Sequence, residues 1–458
     1  MSELKLHTCG NATLILERDS QAILATDPWL DIHTAYFGSW ATSHKIPEFH
    51  LNLLKSVPYI WISHFHPDHL NLRSLLKLNA KNKTILISSQ YFNRVAYDLR
   101  KAGMKVIILP PRKFVNLAED IDIATFPIIS TVDSVLVIKC KKNIIINCND
   151  THWDPSMNFI KGEIAKSKHS LLLKLAGYGD ADMINIYCKN KFVEPLAAAK
   201  TAPGYLLTSQ AQKLNCTHAM HFSSFHKYVR ADSIWANKYT TPEDDLRRGW
   251  NKYIGYFKQF SSILITEDGF KKIPSIYPEK NDMGIQKPEK FGDIWGEDLK
   301  NSEVDIVKNY LNKIAEISKI GFAIKVGGKT IFPSKFYKSK NQNCPFTFYA
   351  PRNSLLRGIK SNIFDDLLIG NFAKVIIPEN RRINFRNILK VPSKYIDNAG
   401  INNIKELREF LWIYRNSYDN KLIQIKSEIK IRIRDLIISK FVGRNNLLVN
   451  LKKIYQKL

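Results

Sequence analysis

The chain has 458 residues, of which 45% are hydrophobic and 24% are charged, proportions typical of a globular protein with two or three domains. Lysine and arginine outnumber the acidic residues by 68 to 42, a net charge of +26. The positive electrostatic field of such a surface favours anionic partners. The alternative is that a biased genome composition enriches the chain in lysine, isoleucine and asparagine. The six cysteines are scattered without a Cys-x-x-Cys pair, which argues against a disulfide framework or a cysteine-built zinc or iron–sulfur site.

No apolar run approaches the ~18 residues of a membrane span, and the N-terminus lacks a signal-peptide core, so we expect a cytoplasmic protein. The first strands are predicted between Leu4 and Leu30, as a hairpin whose second strand ends at Asp27-Pro28. Asp27 has two interpretations. It would orient a metal-bound histidine, or it would only begin an Asp-Pro turn, and spacing alone favours the turn.

An apolar run from Tyr59 to Ile62 predicts a buried strand that ends on a cluster of metal-ligand types. The cluster is His64, His66, Asp68 and His69. Neutral imidazole and carboxylate bind zinc or non-haem iron, and a turn with this spacing can aim side chains at two neighbouring points. The alternative is a loop of surface histidines. The segment 70–109 then alternates helical and strand patterns, which predicts an α/β arrangement.

Residues 121–150 are rich in strand patterns, and the last strand ends at Asp150, where a carboxylate could bridge two metals. His152 is a weaker candidate. A later glycine-containing loop carries Asp180 and Asp182, which would face substrate or support the ligands, although a plain turn explains them equally well.

A second histidine cluster follows at residues 217–228. Alternation places His221 at the end of a short strand and His226 on the loop after it, whereas His218 is expected to be structural. A complete metal site needs ligands from a distant part of the chain, and this second cluster could supply them. The aromatic spacing of Trp250, Tyr253 and Phe257 predicts an amphipathic helix.

Composition shifts after this region and predicts four parts: a metal-binding domain over residues 1–270, a linker over 271–296, an α+β accessory domain over 297–418, and a basic helical segment over 419–458. Asp365 and Asp366 are interpreted as a helix N-terminus rather than metal ligands. In the last segment Ile425, Ile429, Ile433 and Leu436 share one helical face, which is predicted to pack while the basic face stays solvated. Contact with an anionic membrane or nucleic acid is the alternative.

The run Ser-His-Phe-His-Pro-Asp-His at 63–69 resembles the signature of the metallo-β-lactamase superfamily. Residues 24–30, 59–70 and 144–151 resemble segments of the metallo-β-lactamase domain of the CMP-N-acetylneuraminate hydroxylase family, and residues 353–372 resemble its C-terminal part. Residues 219–225 also resemble the ascorbate-lactonase and N-acylphosphatidylethanolamine phospholipase D branch. The resemblance spans roughly residues 5 to 260. It implies an αββα sandwich followed by a C-terminal α+β domain.

The resemblance also implies a two-metal site, with zinc or iron. His64 and His66 would hold the first metal, Asp68 and His69 the second, and Asp150 would bridge them. His221 would complete the second site, with His226 as the competing candidate. The family's further histidine is absent from residues 126–133, so the first site is either incomplete or completed by Asp133, His152 or another side chain. The chain also has no pairing of a Cys-x-His with a Cys-x-x-His motif, the pair that binds a Rieske cluster.

Four functions are consistent with these observations, and we favour the first. The first is a metal-dependent hydrolase of an anionic phosphorylated, nucleotide-linked or acylated small molecule, with Asp68 or Asp150 as acid–base groups. The second is a di-iron oxygenase acting on a sugar or nucleotide-sugar, which would need a separate redox partner. The third is a nucleic-acid phosphodiesterase. The fourth is a binding module with a decayed site.

Overall fold

The computed structural model describes residues 2–30, 32–128, 133–178, 184–334, 344–378 and 385–441. Asp180, Asp182, position 129 and the tail 442–458 therefore lie outside the described residues. Within the described ranges, the first sheet has eight strands. In spatial order they are Gly269–Ile273, Ser262–Thr266, Leu4–Cys9, Thr13–Arg18, Gln21–Thr26, Tyr59–Ile62, Thr84–Ser88 and Lys105–Leu109.

The second sheet has seven strands in the described part of the chain. In spatial order they are Gly255–Tyr256, His218–His221, His169–Lys174, Asn143–Asn149, Asp133–Cys140, Ile121–Ile128 and Val115–Ala118. A short separate pair joins His226–Tyr228 to Trp40–Thr42 in antiparallel register.

The two sheets pack face to face around one apolar layer. That layer contains Leu16 and Trp61 from the first sheet and Leu136 and Leu173 from the second, all fully buried. The outer face of the first sheet is covered by the helices Glu48–Ser56, Leu72–Lys77 and Arg94–Lys101. Met157–Ala165 and Pro203–Leu214 cover the second. The αββα sandwich predicted from the resemblance is confirmed.

The C-terminal unit has a six-stranded sheet in the described residues. In spatial order its strands are Lys191–Val193, Asn185–Cys188, Lys374–Ile377, Thr347–Tyr349, Ala323–Val326 and Lys329–Ile331. Its helices are Asn301–Ser318, Arg352–Lys360, Phe364–Ile369, Phe385–Lys390, Ile404–Asn416 and Lys421–Phe441, with a π-helix at Val391–Asn398.

The division of the chain differs from the predicted boundaries. Asn185–Cys188 pairs in parallel with Lys374–Ile377, so a hairpin from inside the first unit forms the edge of the C-terminal sheet. The first unit also continues past residue 270, because Gly269–Ile273 completes its sheet. Composition could not show this, because an inserted strand pair has the same apolar pattern whichever sheet receives it.

Two local predictions are wrong. The aromatic spacing around Trp250 belongs to a loop that ends in the strand Gly255–Tyr256, because Gly255 and Tyr256 pair in parallel with His218 and Ala219 of the second sheet. The isoleucine face of the helix Lys421–Phe441 is not packed: Ile425 and Ile429 are 50% and 52% exposed. In the described ranges, we find no helix that combines the length and the apolar character needed to cross a membrane.

Candidate metal centre

The predicted ligands leave strands whose carboxyl ends meet at one edge of the sandwich. In the first sheet Gln21–Thr26 and Tyr59–Ile62 are parallel neighbours, so Asp27 and the loop 63–69 emerge side by side. Ligand sites in α/β sheets gather at such ends because the loops there share one crevice.

The second sheet delivers its residues to the same edge. Asn143–Asn149 runs parallel to His169–Lys174, and Asp150 follows it directly. Ser134 Oγ, on the adjacent strand, donates to the carbonyl of Ser63 at 2.6 Å and joins the two sheets at the site.

Five of the predicted ligands come together. Donor atoms of His64, His69 and Asp150 all lie within 4.8 Å of one another. His69 Nε2 is 3.2 Å from Asp150 Oδ2 and 3.3 Å from Asp68 Oδ2, and His64 Nε2 is 2.9 Å from His66 Nδ1. Ligand atoms bound at about 2.1 Å to a tetrahedral ion lie about 3.4 Å apart, so these donors fit metal coordination.

Two of the histidines hold their outer ring nitrogen against a carboxylate. His69 Nδ1 donates to Asp27 Oδ2 at 2.9 Å, and His64 Nδ1 lies 3.3 Å from Asp133 Oδ1. A carboxylate behind a metal-binding imidazole fixes its tautomer and ring orientation. Asp133 therefore lies behind His64, and Asp27 does more than begin a turn.

The third histidine has the same arrangement, but its partner comes from the C-terminal unit. His66 Nε2 lies 3.3 Å from Asp365 Oδ2. Asp365 and Asp366 lie in the first turn of Phe364–Ile369, as predicted, yet they also face the site. Sequence reasoning missed this role because an acidic pair in a first helical turn is fully explained by the helix dipole.

Asp27 is the most heavily bonded carboxylate at the site. It is fully buried, and it accepts from Ser63 N at 2.8 Å, Ser63 Oγ at 2.6 Å and Asn149 Nδ2 at 3.2 Å in addition to His69. These bonds tie the histidine loop to both sheets. The Asp27 side chain therefore positions the loop as well as one ligand.

Asp68 is held by two residues outside the ligand motifs. Tyr36 OH donates to Asp68 Oδ1, and Asn11 Nδ2 donates to Asp68 Oδ2 at 2.9 Å. The same Asn11 accepts from the backbone N–H of Phe225 at 2.8 Å, next to the second histidine cluster. Tyr36, just before the strand Trp40–Thr42, and Asn11, beside a turn, carry no metal-site pattern of their own.

The two histidines of the second cluster differ in their surroundings. His221 Nε2 donates to the carbonyl of Leu246 at 2.8 Å, so that ring nitrogen is already engaged. His226 stacks on Trp40 at 3.3 Å between ring centroids, and its Nε2 is buried without a hydrogen-bond partner in the described structure. It also lies within electrostatic range of Asp68 and Asp150. A buried, unpartnered imidazole nitrogen beside these carboxylates fits a ligand to the second metal.

The charges at the centre favour a cation. Burial would raise the pKa of Asp68, but the positive charge and hydrogen bond of His69 hold it at about 2. The same histidine, against the burial effect, holds the pKa of Asp150 well below its usual range. Burial opposes protonation of His69, yet the surrounding carboxylates raise its pKa well above its usual value. Both acids are therefore ionised at neutral pH, as metal ligands must be.

We use "metal centre" below for His64, His66, Asp68, His69, Asp150 and His226. His152 Nδ1 lies 3.7 Å from Asp154, and in the described residues its ring is not part of the donor cluster of His64, His69 and Asp150. The αββα sandwich and the His-x-His-x-Asp-His ligands at its edge define a protein of metallo-β-lactamase fold.

The chain has relatives among proteins of known sequence and structure. No protein-family profile matches the chain. The chain is 32% identical over 226 residues to the cytidine monophosphate-N-acetylneuraminic acid hydroxylase of Xenopus laevis, a match that covers 45% of this chain and 37% of that protein. It is 36% identical over 97 residues to the hydroxylase of the same name from Asterias rubens, covering 20% of this chain and 14% of that protein.

Among solved structures, the chain is similar to CmlA, a diiron β-hydroxylase from Streptomyces venezuelae, with a TM-score of 0.33, 11% identity and coverage of 49% of this chain and 45% of that one. The chain spans 37% or less of the length of the two hydroxylases it matches in sequence. Together with the ligand set, these sequence matches support a metal-dependent enzyme.

Proposed function

We propose that the chain is a metal-dependent hydrolase of an anionic small molecule. The observation that carries the proposal is a basic cleft of about 490 Å³ that approaches the metal centre through His152. His152 lines this cleft and follows Asp150 by two residues, so their backbones are at most about 7 Å apart. His152 is also within electrostatic range of Asp133, which holds His64, and of Lys394.

The lining of the cleft suits a negatively charged ligand with an apolar part. Five cationic side chains line it against two carboxylates, a balance of +3 without His152. The cations are Lys390, Lys394, Arg415, Lys430 and Arg432, and the acids are Asp154 and Glu428. Tyr395, Phe410 and Tyr414 add aromatic surface. Clefts lined by one sign of charge concentrate ligands of the opposite sign.

Bound metal ions would polarise the scissile group and lower the pKa of a bound water toward ~7. The chain's own residues would then do three things. The cleft lysines and arginines would hold the anionic group. Asp150, which accepts from Ser223 Oγ at 2.7 Å, and Asp68, held by Tyr36 and Asn11, would keep fixed oxygens beside the reacting group as acid–base residues.

The test is a hydrolysis screen of zinc-loaded protein against phosphomonoesters, phosphodiesters, carboxylic esters, lactones and amides. With an active anionic substrate, Lys394→Glu should raise KM by about 10- to 100-fold with a smaller change in kcat, because it reverses a charge that holds the substrate. Lys308→Glu, on the exposed side of Asn301–Ser318, is the matched control and should behave as wild type. Equal KM values for the two variants would show that the cleft does not bind the substrate.

A di-iron hydroxylase acting on a sugar or nucleotide-sugar is the second candidate, and the sequence matches to two hydroxylases favour it. It would need electrons from a separate redox protein. Metal analysis of protein purified without added metal separates the two functions. Stoichiometric zinc without iron would count against the hydroxylase. Oxygen consumption by iron-loaded protein, with no hydrolysis by zinc-loaded protein, would overturn the hydrolase.

A further inference from the structure

The bond between His66 and Asp365 joins parts of the chain that are 299 residues apart. Both side chains are 15% exposed, so the contact is largely sealed from solvent. His66 directs its Nδ1 toward His64 Nε2, 2.9 Å away, and its Nε2 toward Asp365. One nitrogen thus faces the metal position and the other faces the carboxylate.

Asp365 is itself held in place. Its backbone N–H donates to Asp397 Oδ2 at 3.0 Å, which fixes the start of Phe364–Ile369. The neighbouring Asp366 is 5% exposed, and its Oδ1 has no hydrogen-bond partner in the described structure. It lies within electrostatic range of His66. The helix start therefore presents two carboxylates toward the histidine loop, one bonded and one unpartnered.

Arg94 holds the C-terminal unit against that loop. Its guanidinium donates to the carbonyls of Ser361 at 2.8 Å and Asp397 at 2.9 Å, and also to that of Asn362. It lies 5.0 Å from the ring centroid of Phe65, the residue before His66. One side chain of the first unit thus contacts both the histidine loop and the segments that flank Asp365.

We propose that Asp365 is a positioning residue that fixes His66 as an Nδ1 ligand, so that His66 is held for the first metal only when the C-terminal unit is docked. This inference rests on the proposed metal-dependent function. Asp27 and Asp133 do the same for His69 and His64 from within the sandwich, whereas His66 depends on a second unit. Docking and binding of the first metal should stabilise each other by linkage.

The test is a titration of chelator-treated full-length protein with Co²⁺, followed by its visible d–d spectrum and by calorimetry. Wild type should bind two equivalents. Asp365→Ala should bind one equivalent as wild type does and the other about 10- to 100-fold more weakly, with altered absorption of that ion only. Asp365→Asn keeps an acceptor oxygen and should be intermediate. Asp305→Asn, an exposed aspartate of Asn301–Ser318, should match wild type.

Arg94→Ala should weaken the same equivalent without touching a ligand, because it loosens the docked unit. The inference is overturned if Asp365→Ala binds both equivalents as wild type does. It is also overturned if both equivalents weaken together while the melting temperature of the metal-free protein falls, since Asp365 would then support the fold alone. Failure of wild type to bind any Co²⁺ would instead reject the proposed metal-dependent function.

Discussion

Substitution of His226 and substitution of His221, only five residues apart, should have different effects on metal binding at the second site. His226→Ala removes a buried imidazole whose Nε2 has no hydrogen-bond partner in the described structure and that lies in the field of Asp68 and Asp150. His221→Ala removes a ring whose Nε2 is engaged by the carbonyl of Leu246. We expect His226→Ala to lose one of two metal equivalents and His221→Ala to keep both.

The expected magnitudes follow from the contacts. Loss of a direct ligand should exceed the 10- to 100-fold effect of removing an outer partner, so the affinity of one ion should fall by more than about 100-fold in His226→Ala. The same change removes a ring stacked on Trp40, which should cost about 2–3 kcal/mol of metal-free stability. His221→Ala loses one buried hydrogen bond and leaves a cavity, a cost of about 2 kcal/mol.

Because the two variants should be destabilised to a similar degree, stability alone cannot separate them. Zinc stoichiometry by elemental analysis and affinity by competition with a chromophoric chelator can do so, with urea unfolding of the metal-free proteins as the control. The reasoning fails if His221→Ala loses an equivalent while His226→Ala retains two.

Three further outcomes are expected. Asp27→Asn should weaken the ion held by His69 by about 10- to 100-fold, measured by chelator competition, because the amide cannot hold that ring as the carboxylate does. Burial lowers the pKa of His50 to about 4, so the unfolded chain takes up a proton near pH 6.5 that the folded chain refuses. This group alone should lower the free energy of unfolding by about 2–3 kcal/mol between pH 7 and 4.5, measured by urea unfolding as the difference between wild type and His50→Leu. Arg230→Met should cost about 3–5 kcal/mol by the same method, because it leaves the buried Asp293 carboxylate without its cation 2.7 Å away, and adding Asp293→Asn should recover part of that loss.

The sandwich was predictable because its signals are local. The run from Tyr59 to Ile62 and the ligand spacing after it need only a few residues to be recognised, and Asp150 follows a strand pattern in the same way. The choice between His221 and His226 was not local, since it depends on where the carbonyl of Leu246 and the ring of Trp40 lie in space. Periodicity places a residue on a strand but says nothing about what its ring will contact.

The supporting residues were harder still, because their chemistry is ordinary until the fold brings them to the site. Asn11, Tyr36 and Asp365 lie 57, 32 and 299 residues from the ligands they bond. None carries a motif. The inserted hairpin at 185–193 shows the same limit at the level of domains, because its pairing partner lies almost 190 residues further along the chain.

Three residues around the metal centre have a left-handed backbone conformation that turns the chain at the site. Asp27, Asn149 and Ser223 follow or end strands and have φ values of +40°, +46° and +79°, a left-handed conformation that is costly for residues other than glycine. Each turns the chain sharply where a strand reaches the site, and each is bonded there: Asp27 to His69, Asn149 to Asp27, and Ser223 to Asp150. Glycine would relieve the strain but would remove these bonds. The polar residues at these turns therefore match a site that holds its ligands in place before a metal binds, and the bond from Asp365 to His66 extends the same arrangement to the C-terminal unit.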